Sequence, residues 1–161
     1  MKKYLSGFMI ALFLMMAGHS VYAQKAAGGS DYTNALGLGI DFGDGQTLVG
    51  ISGKHFFTAN HVGEADVLFG DRYTIIQALY EYHKQIENAE GLKWYAGIGP
   101  GFGLGKGYST FLIRPIGGLD YKLRNVPLNF SFDWRPILQF DKGDSDFAAA
   151  RFGLGFRFAF N

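Results

Sequence analysis

The sequence predicts an all-β fold, an eight-stranded antiparallel up-and-down transmembrane β-barrel. Several segments alternate apolar residues with small or charged residues at a period of two, which is typical of strands with one apolar face. The 161 residues include 24 glycines, and 17% are aromatic while only 18% are charged, below the roughly 25% of soluble domains. After the first 23 residues no stretch is apolar enough for a membrane helix. Together these features favour a membrane barrel.

The N-terminus has the three parts of a secretory signal peptide. Lys2 and Lys3 supply positive charge, residues 5–17 form an apolar run, and residues 21–23 fit the −3 and −1 positions of a cleavage site. The alternative is a membrane anchor, but a run of 13 residues is shorter than the roughly 20 that span a bilayer as a helix. We therefore expect residues 1–23 to be a cleaved signal peptide and residues 24–161 to form the barrel domain.

The composition excludes several classes of site. The chain has no cysteine, so disulfides, thiolate metal sites and lipidation of an N-terminal cysteine are ruled out. Loss of residues 1–23 removes two lysines, which changes the formal net charge from +1 to −1. A nearly neutral chain lacks the basic surface that nucleic-acid binding requires, so we expect no nucleic-acid partner.

Four strands are predicted in the first half of the chain. Residues 35–42 alternate leucine, isoleucine and phenylalanine with small residues and aspartate, and residues 43–46 have the composition of a hairpin turn. The further strands are residues 48–56, 65–70 and 73–85. Residues 78–90 also fit a helix, because apolar side chains recur there at a spacing of roughly 3.6. We favour the strand, since the neighbouring strands need a pairing partner.

Four further strands are predicted in the second half, at residues 93–99, 111–121, 128–136 and 148–160. The glycine-rich residues 99–107 are expected to connect the first two of these strands, and the polar residues 141–146 to form the last turn. With the N-terminus in the periplasm, four connections would face the outside of the cell. They are residues 43–46, 71–72, 100–108 and 141–146.

The last strand shows the alternation most clearly. From residue 148 to residue 160 every even position is apolar, and the odd positions are glycine, alanine or arginine. A soluble sandwich also has one apolar face, but its wet face rarely carries glycine, which weakens a strand. Glycine alternating with arginine suits the narrow interior of an eight-stranded barrel.

Two C-terminal segments carry a resemblance to a known family. Residues 151–160 resemble the closing strand of outer-membrane barrels, which the barrel-assembly machinery recognises, although Asn161 departs from the usual aromatic end. The assembly signal that this resemblance implies comprises Phe156, Phe158 and Phe160. Residues 127–136 are similar to the penultimate strand of small outer-membrane barrels of the Bacteroidota type. The resemblance implies a cell outer-membrane location after export, and it carries no catalytic residues.

The sequence contains no motif with recognisable catalytic or cofactor chemistry. Residues 101–107 suggest a phosphate loop, but position 100 is proline and position 107 is glycine, where the Walker pattern needs glycine and then serine or threonine. His55, His61 and His83 lack the spacing of metal ligands. We therefore expect no catalytic residue, no metal and no cofactor.

Five charged side chains are predicted to form an ion network inside the barrel. Arg135 and Arg151 lie at equal distances from the centre of the last turn, so they should come opposite each other. Arg114 should lie beside Asp133 or Arg135, and Glu81 should sit at a similar depth on the opposite wall. Buried charges persist when they are paired and hydrogen-bonded, and the planar fork of arginine suits such pairing. We expect the network to fill the lumen and to set the strand register.

The function expected from these features is that of an outer-membrane barrel with a filled lumen and a structural or interaction role. We expect a monomer without enzymatic activity, surrounded by outer-membrane lipid and delivered by the barrel-assembly machinery. Two alternatives stay open. One is a lipid-modifying enzyme of the outer membrane, and the other is a soluble periplasmic barrel that binds a small apolar ligand.

Overall fold

The computed structural model describes residues 31–141 and 144–161, and strands are the only regular secondary structure in these residues. None of the described residues belongs to a helix that could cross a membrane. Ten strand segments follow one another along the chain. They are β1 (Asn34–Gly43), β2 (Gln46–Phe56), β3 (His61–Phe69), β4 (Tyr73–Gln85), β5 (Leu92–Gly105), β6 (Tyr108–Lys122), β7 (Leu128–Trp134), β8 (Ile137–Asp141), β9 (Asp144–Ala148) and β10 (Arg151–Phe160).

Hydrogen-bonded pairing closes the ten segments into a barrel of eight walls. From β1 to β6 each strand pairs antiparallel with the next strand in the chain. β7 and β8 both pair with β6 and form the seventh wall, while β9 and β10 form the eighth. β10 pairs with β1 from Asn34 opposite Phe160 to Gly43 opposite Arg151, which closes the sheet. The predicted eight-stranded antiparallel barrel is therefore confirmed, and residues 73–85 form a strand rather than a helix.

The connection predicted at residues 99–107 is wrong, because β5 continues to Gly105 and β6 begins at Tyr108. The glycines of β5 alternate with Ile98, Phe102 and Leu104, which point away from the lumen. Glycine is a loop signal in most sequences. In a narrow barrel it also serves within a strand, because it leaves room for the side chains of the opposite wall.

One extra residue in the eighth wall interrupts the last predicted strand. The N–H of Arg135 donates to the carbonyl oxygen of Arg151 at 3.0 Å, whereas Ile137, two residues on, pairs with Ala148. The eighth wall thus advances three residues while the seventh advances two, which defines a β-bulge. As a result Ala148 packs inside the barrel and Phe147 points outward. The prediction that residues 148–160 form one strand with Ala148 on the outer face is therefore wrong.

The turns between β1 and β2, β3 and β4, and β5 and β6 lie at one end of the barrel, called the hairpin end. The start of β1 and the end of β10 lie at the other, called the terminal end. β8 and β9 also extend to the hairpin end. The polar turn predicted at residues 141–146 is shorter than expected, because β8 ends at Asp141 and β9 begins at Asp144. Lys142 and Gly143 lie outside the described residues.

The inner face of the sheet carries charged side chains and its outer face carries apolar ones, which is the reverse of the usual order. Charged side chains such as Asp41, Glu64 and Arg114 are fully buried in the lumen, while Ile51, Ile98 and other large apolar side chains are exposed on the exterior. Apolar residues also occupy part of the lumen in three clusters. The residues of these clusters are Leu48, Leu68, Ile75, Leu112 and Ile137; Tyr32, Ala35, Phe56, Val62 and Ala159; and Leu79, Tyr95 and Ile116.

We expect Gly99→Ala to destabilise the barrel more than Gly103→Ala. A Cβ atom on Gly99 would lie 2.7 Å from the Cα of Leu79, which belongs to the β4 backbone and cannot rotate away. A Cβ atom on Gly103 would meet nothing nearer than Leu112 Cδ1 at 3.9 Å. Overpacking of this kind costs about 1–3 kcal/mol. Urea unfolding in detergent micelles measures the difference, and equal midpoints would contradict the close approach of β4 and β5.

Candidate functional site

Among the described residues, the lumen contains twelve buried side chains of the Asp, Glu, Lys and Arg types, six acids and six bases. They come from all eight walls because the inward positions of neighbouring strands converge on a narrow interior. The acids are Asp41, Glu64, Asp66, Glu81, Asp120 and Asp133, and the bases are Lys54, Lys93, Arg114, Arg135, Arg151 and Arg157. With all twelve ionised the charges cancel, so the interior needs no external counter-ion for neutrality.

Asp41 joins two arginines in an upper cluster near the hairpin end. Arg151 on β10 donates to Asp41 Oδ1 through Nη2 at 2.6 Å and through Nε at 3.0 Å. Arg114 on β6 donates to the other carboxylate oxygen at 2.6 Å and to the carbonyl oxygen of Arg135 at 3.0 Å. All three side chains are shielded from solvent. The upper cluster, defined as Asp41, Arg114 and Arg151, therefore ties β1 to β6 and β10.

Eight of the remaining charges form a lower cluster, while Lys93 pairs with Asp31 at 3.3 Å instead. Glu64, Lys54 and Arg135 each have three partners of opposite charge in this cluster. Glu64 contacts Lys54 at 3.1 Å, Arg157 at 2.9 Å and Arg135 at 3.3 Å. These four residues lie on β2, β3, the seventh wall and β10. A buried carboxylate is expensive to desolvate, and it is stable here because charge-assisted bonds from several walls compensate it.

Arg135 and Lys54 extend the lower cluster to its other acids. Arg135 pairs with both carboxylate oxygens of Asp133, at 2.6 Å for the Nη2 bond, and reaches Asp66 at 3.3 Å. Lys54 pairs with Glu81 at 2.8 Å and with Asp120 at 3.7 Å, and its ammonium lies 4.1 Å from the centre of the Tyr95 ring. A bidentate arginine and a cation over an aromatic ring are both strong arrangements in a desolvated site.

The five lumen residues predicted from sequence are all buried, but they fall into both clusters. Asp133 and Arg135 come together in the lower cluster. Arg114 and Arg151 share Asp41 instead of Asp133, although Arg151 lies beside Arg135 through a backbone hydrogen bond. Glu81 belongs with Lys54 in the lower cluster. The arrangement is thus two clusters rather than one level of charge.

Six residues of these clusters were not predicted from the sequence, namely Asp41, Lys54, Glu64, Asp66, Asp120 and Arg157. The sequence feature that could have indicated these residues is the alternation along the strands, which puts Asp41 and Lys54 on the inward faces of β1 and β2. Alternation says which face a side chain occupies and nothing about which distant strand lies opposite. The pairing of Asp41 on β1 with Arg114 on β6 depends on the closed barrel.

Tyr32 closes the lumen at the terminal end. Its side chain is 2% exposed, its ring packs edge-on against Phe56 with centroids 4.8 Å apart, and its hydroxyl donates to Asp120 at 3.3 Å. Burial, together with the nearby Asp120 carboxylate, raises the pKa of Tyr32 well above its ordinary value, so the phenol stays neutral. The N-terminal segment therefore inserts a neutral aromatic plug beneath the charged interior.

A cavity of about 490 Å³ opens at the hairpin end, and we call it the vestibule. Its lining side chains are mostly polar, with Ile137 and Ala148 as apolar members. The lining residues are Asp44, Gly45, Gln46, Arg72, Tyr73, Tyr108, Ile137, Gln139, Asp146, Ala148 and Arg151. A smaller cavity of about 110 Å³ shares Tyr73, Tyr108, Ile137 and Gln139 with it. The vestibule is the larger of these two cavities, and its volume is sufficient for a small molecule.

The aromatic residues of the predicted assembly signal lie on the outer side of β10. Phe156 is exposed and packs edge-on against Phe130 of β7, with ring centroids 5.3 Å apart. Phe158 and Phe160 follow on the same face, with their centroids 6.4 Å apart. The three rings thus form a row on the exterior at the closing strand.

No family model, no curated protein and no solved structure matches this chain. His83 is the one histidine among the described residues that is buried in the lumen. Its Nε2 forms a hydrogen bond with Glu81 Oε2 at 2.7 Å, and its ring stacks on that of Tyr95 with the centroids 4.7 Å apart.

We expect Asp41→Asn to destabilise the protein strongly, because it removes the one carboxylate that two buried arginines share. Breaking a buried ion pair costs on the order of 3–5 kcal/mol. Asp71→Asn in the exposed turn between β3 and β4 is the matched control, with an effect within about 0.5 kcal/mol. Urea unfolding of both variants in the same detergent gives the comparison. Similar midpoints would show that the upper cluster does not stabilise the barrel.

Proposed function

We propose that this chain is an integral barrel of the cell outer membrane whose own side chains fill the lumen, with a structural or interaction role and no enzymatic activity. The observation that carries the proposal is the inverted polarity of the barrel, with acidic and basic side chains inside and large apolar side chains outside. A soluble protein minimises exposed apolar area, whereas a barrel in lipid requires it.

The exterior supports a membrane environment by the extent of its apolar surface. Among the described residues twenty-four large hydrophobic side chains are exposed, including Ile51 at 59% and Ile98 at 54%. Monomeric soluble proteins rarely leave contiguous apolar patches beyond a few hundred Å², and larger patches mark an interaction or membrane surface. Because the apolar residues recur around the barrel on β1 to β10, the surface they form is a belt rather than a patch.

The height of the belt fits a bilayer. On β5 the outward residues run from Trp94 to Leu104, ten residues along the strand. At about 3.3 Å per residue and a tilt of about 40°, this corresponds to an axial height of roughly 25 Å, which is the apolar band of outer-membrane barrels. Tyr82, Trp94 and Tyr121 are exposed toward the terminal end, where an aromatic girdle is expected at the membrane boundary.

The same polarity argues against the soluble carrier of an apolar ligand. Such a barrel places its phenylalanine and leucine side chains around a central cavity, as the ligand requires. Here the lumen holds twelve acidic and basic residues, and the phenylalanines of β10 face outward. The polar lining of the vestibule also suits a polar molecule better than an apolar one.

Export and assembly complete the proposal. The signal peptide proposed at residues 1–23 lies outside the described residues. After export, the outer row of Phe156, Phe158 and Phe160 would be available to the barrel-assembly machinery, and membrane lipid would then surround the exterior. We infer a monomer because β1 and β10 of one chain close the sheet without a second copy.

The membrane proposal predicts a depth-dependent penalty for arginine on β5. Ile98→Arg puts a charge near the middle of the belt and should cost roughly 2–4 kcal/mol, whereas Leu104→Arg near its edge should cost about 0–1 kcal/mol. Both side chains are exposed, at 54% and 41%, so they are matched in accessibility. Folding yield into lipid vesicles, measured by the gel shift of heated and unheated samples, tests this.

A soluble barrel would tolerate both arginines equally, because each would extend into water. Equal folding yields for Ile98→Arg and Leu104→Arg would therefore contradict the membrane location, as would a mature chain that folds as a monomer without detergent.

The filled lumen predicts that the protein does not conduct ions at porin levels. The two charged clusters and the Tyr32 plug occupy the axis, and an eight-stranded barrel has room only for its own side chains. Reconstituted protein in planar bilayers should give no stable single-channel steps. Steady steps of porin size would contradict the filled lumen and leave the membrane location standing.

A further inference from the structure

The vestibule is bounded on one side by a part of the barrel wall that is not fully paired. β9 pairs only with β8 among the described strands, and the seam between β1 and β10 ends at Gly43 opposite Arg151. Beyond that pair, Asp44 in the turn after β1 and Asp146 on β9 both line the vestibule. The cavity therefore opens toward the solvent at the hairpin end, and Arg151 of the upper cluster lies at its floor.

The floor of the vestibule has an excess of positive charge. Arg151 lines the cavity, and behind it Asp41 is shared between Arg151 and Arg114, so two cations face one anion. Arg114 also keeps two fully buried nitrogen atoms, Nε and Nη1, without a hydrogen-bond partner among the described residues. The compensating negative charge of the lumen belongs to the lower cluster, whose side chains do not line the vestibule.

The rim of the vestibule has an excess of negative charge. Asp44 and Asp146 contribute two carboxylates and Arg72 contributes one cation. Between rim and floor, the aromatic rings of Tyr73 and Tyr108 form part of the wall, beside the amides of two glutamines. Tyrosine rings attract a cation to their faces and also pack against apolar groups. The cavity is thus polarised, positive at its floor and negative at its rim.

We propose that the vestibule binds a small zwitterion of the α-amino-acid type, with its carboxylate toward Arg151 and its ammonium toward Asp44 and Asp146. A zwitterion is the ligand whose charges complement both ends of this cavity without adding net charge. The volume of about 490 Å³ lies in the range of small-molecule sites. The proposal depends on the barrel fold and not on the membrane location, so the two can fail separately.

Three probes that share the leucine side chain and differ in charge test the polarity of the site. They are L-leucine, L-leucinamide, which lacks the carboxylate, and N-acetyl-L-leucine, which lacks the ammonium. Each is titrated into the isotope-labelled mature protein in a non-ionic detergent, and NMR follows the side-chain amides of Gln46 and Gln139. We expect leucine to bind about fivefold more tightly than either analogue, because each analogue lacks one ion pair and a partly exposed ion pair changes affinity by about this factor. Equal affinities for the three probes, or no shift with any of them, would overturn the proposal.

Matched variants connect the binding to the rim. Asp146→Asn should weaken leucine binding and reduce its advantage over N-acetyl-leucine, because Asp44 is then the one rim carboxylate left in the lining, while Arg72→Gln should favour leucinamide relative to leucine. Lys106→Gln, in the turn between β5 and β6 and outside the lining, is the control and should change neither ratio. Both rim side chains are exposed, so their substitution leaves the buried clusters intact. Unchanged ratios in both rim variants would overturn the assigned orientation.

The phosphoethanolamine headgroup of membrane lipids carries the same pair of charges as an amino acid. A third experiment, in nanodiscs, distinguishes a soluble zwitterion from this headgroup. In nanodiscs made of phosphatidylglycerol alone, shifts of Gln46 and Gln139 on adding leucine identify a soluble ligand. Shifts that appear only when phosphatidylethanolamine replaces part of the phosphatidylglycerol identify the headgroup. Absence of both responses would overturn the zwitterion site.

Discussion

The compensation of charge inside the lumen is the constraint on which the rest of the structure depends. An eight-stranded barrel leaves space for side chains and little water, so each ionised group must find its partners there. Glu64 meets three cations from three walls, and Asp41 meets two. These contacts span β1, β2, β3, β6 and β10, so a shift in the register of any one strand would leave a buried charge without its partner.

The narrow lumen also accounts for the glycines and for the apolar exterior. Arginines of this length fit only where the facing strand has no side chain, and a Cβ atom on Gly153 would lie 2.5 Å from Asp133 Oδ1 and from Arg135 Cζ. With ionised groups inside, the large apolar residues are left for the outer positions of the same strands. A barrel of this polarity needs an apolar surrounding, and the proposed membrane location is the environment that provides it.

The β-bulge at the hairpin end connects this closed interior with the vestibule. One extra residue in the eighth wall keeps Arg151 directed into the lumen while it brings Ala148 inward and Phe147 outward. Trp134 donates from the outer face to the carbonyl oxygen of Ala149 at 2.6 Å, which satisfies a backbone group that the bulge removes from the ladder. Above the bulge, β9 pairs with β8 alone among the described strands, so the seam between the first and the eighth wall ends at Gly43 and the cavity begins there.

The sequence by itself determined the fold class, the positions of most strands, and the inward and outward faces of those strands. These features depend on local alternation, which follows from the geometry of a single strand. Residues 99–107 were predicted to be a connection, because glycine indicates a loop wherever its neighbours are unknown. Residues 148–150 were predicted to continue the last strand, because a bulge inserts a residue without breaking the pattern of apolar side chains. Only the tertiary structure decided that Arg114 pairs with Asp41 and Glu81 with Lys54, and that the vestibule exists. Partners across a lumen come from strands far apart in the chain, and their meeting is set by closure and register, which no local pattern specifies.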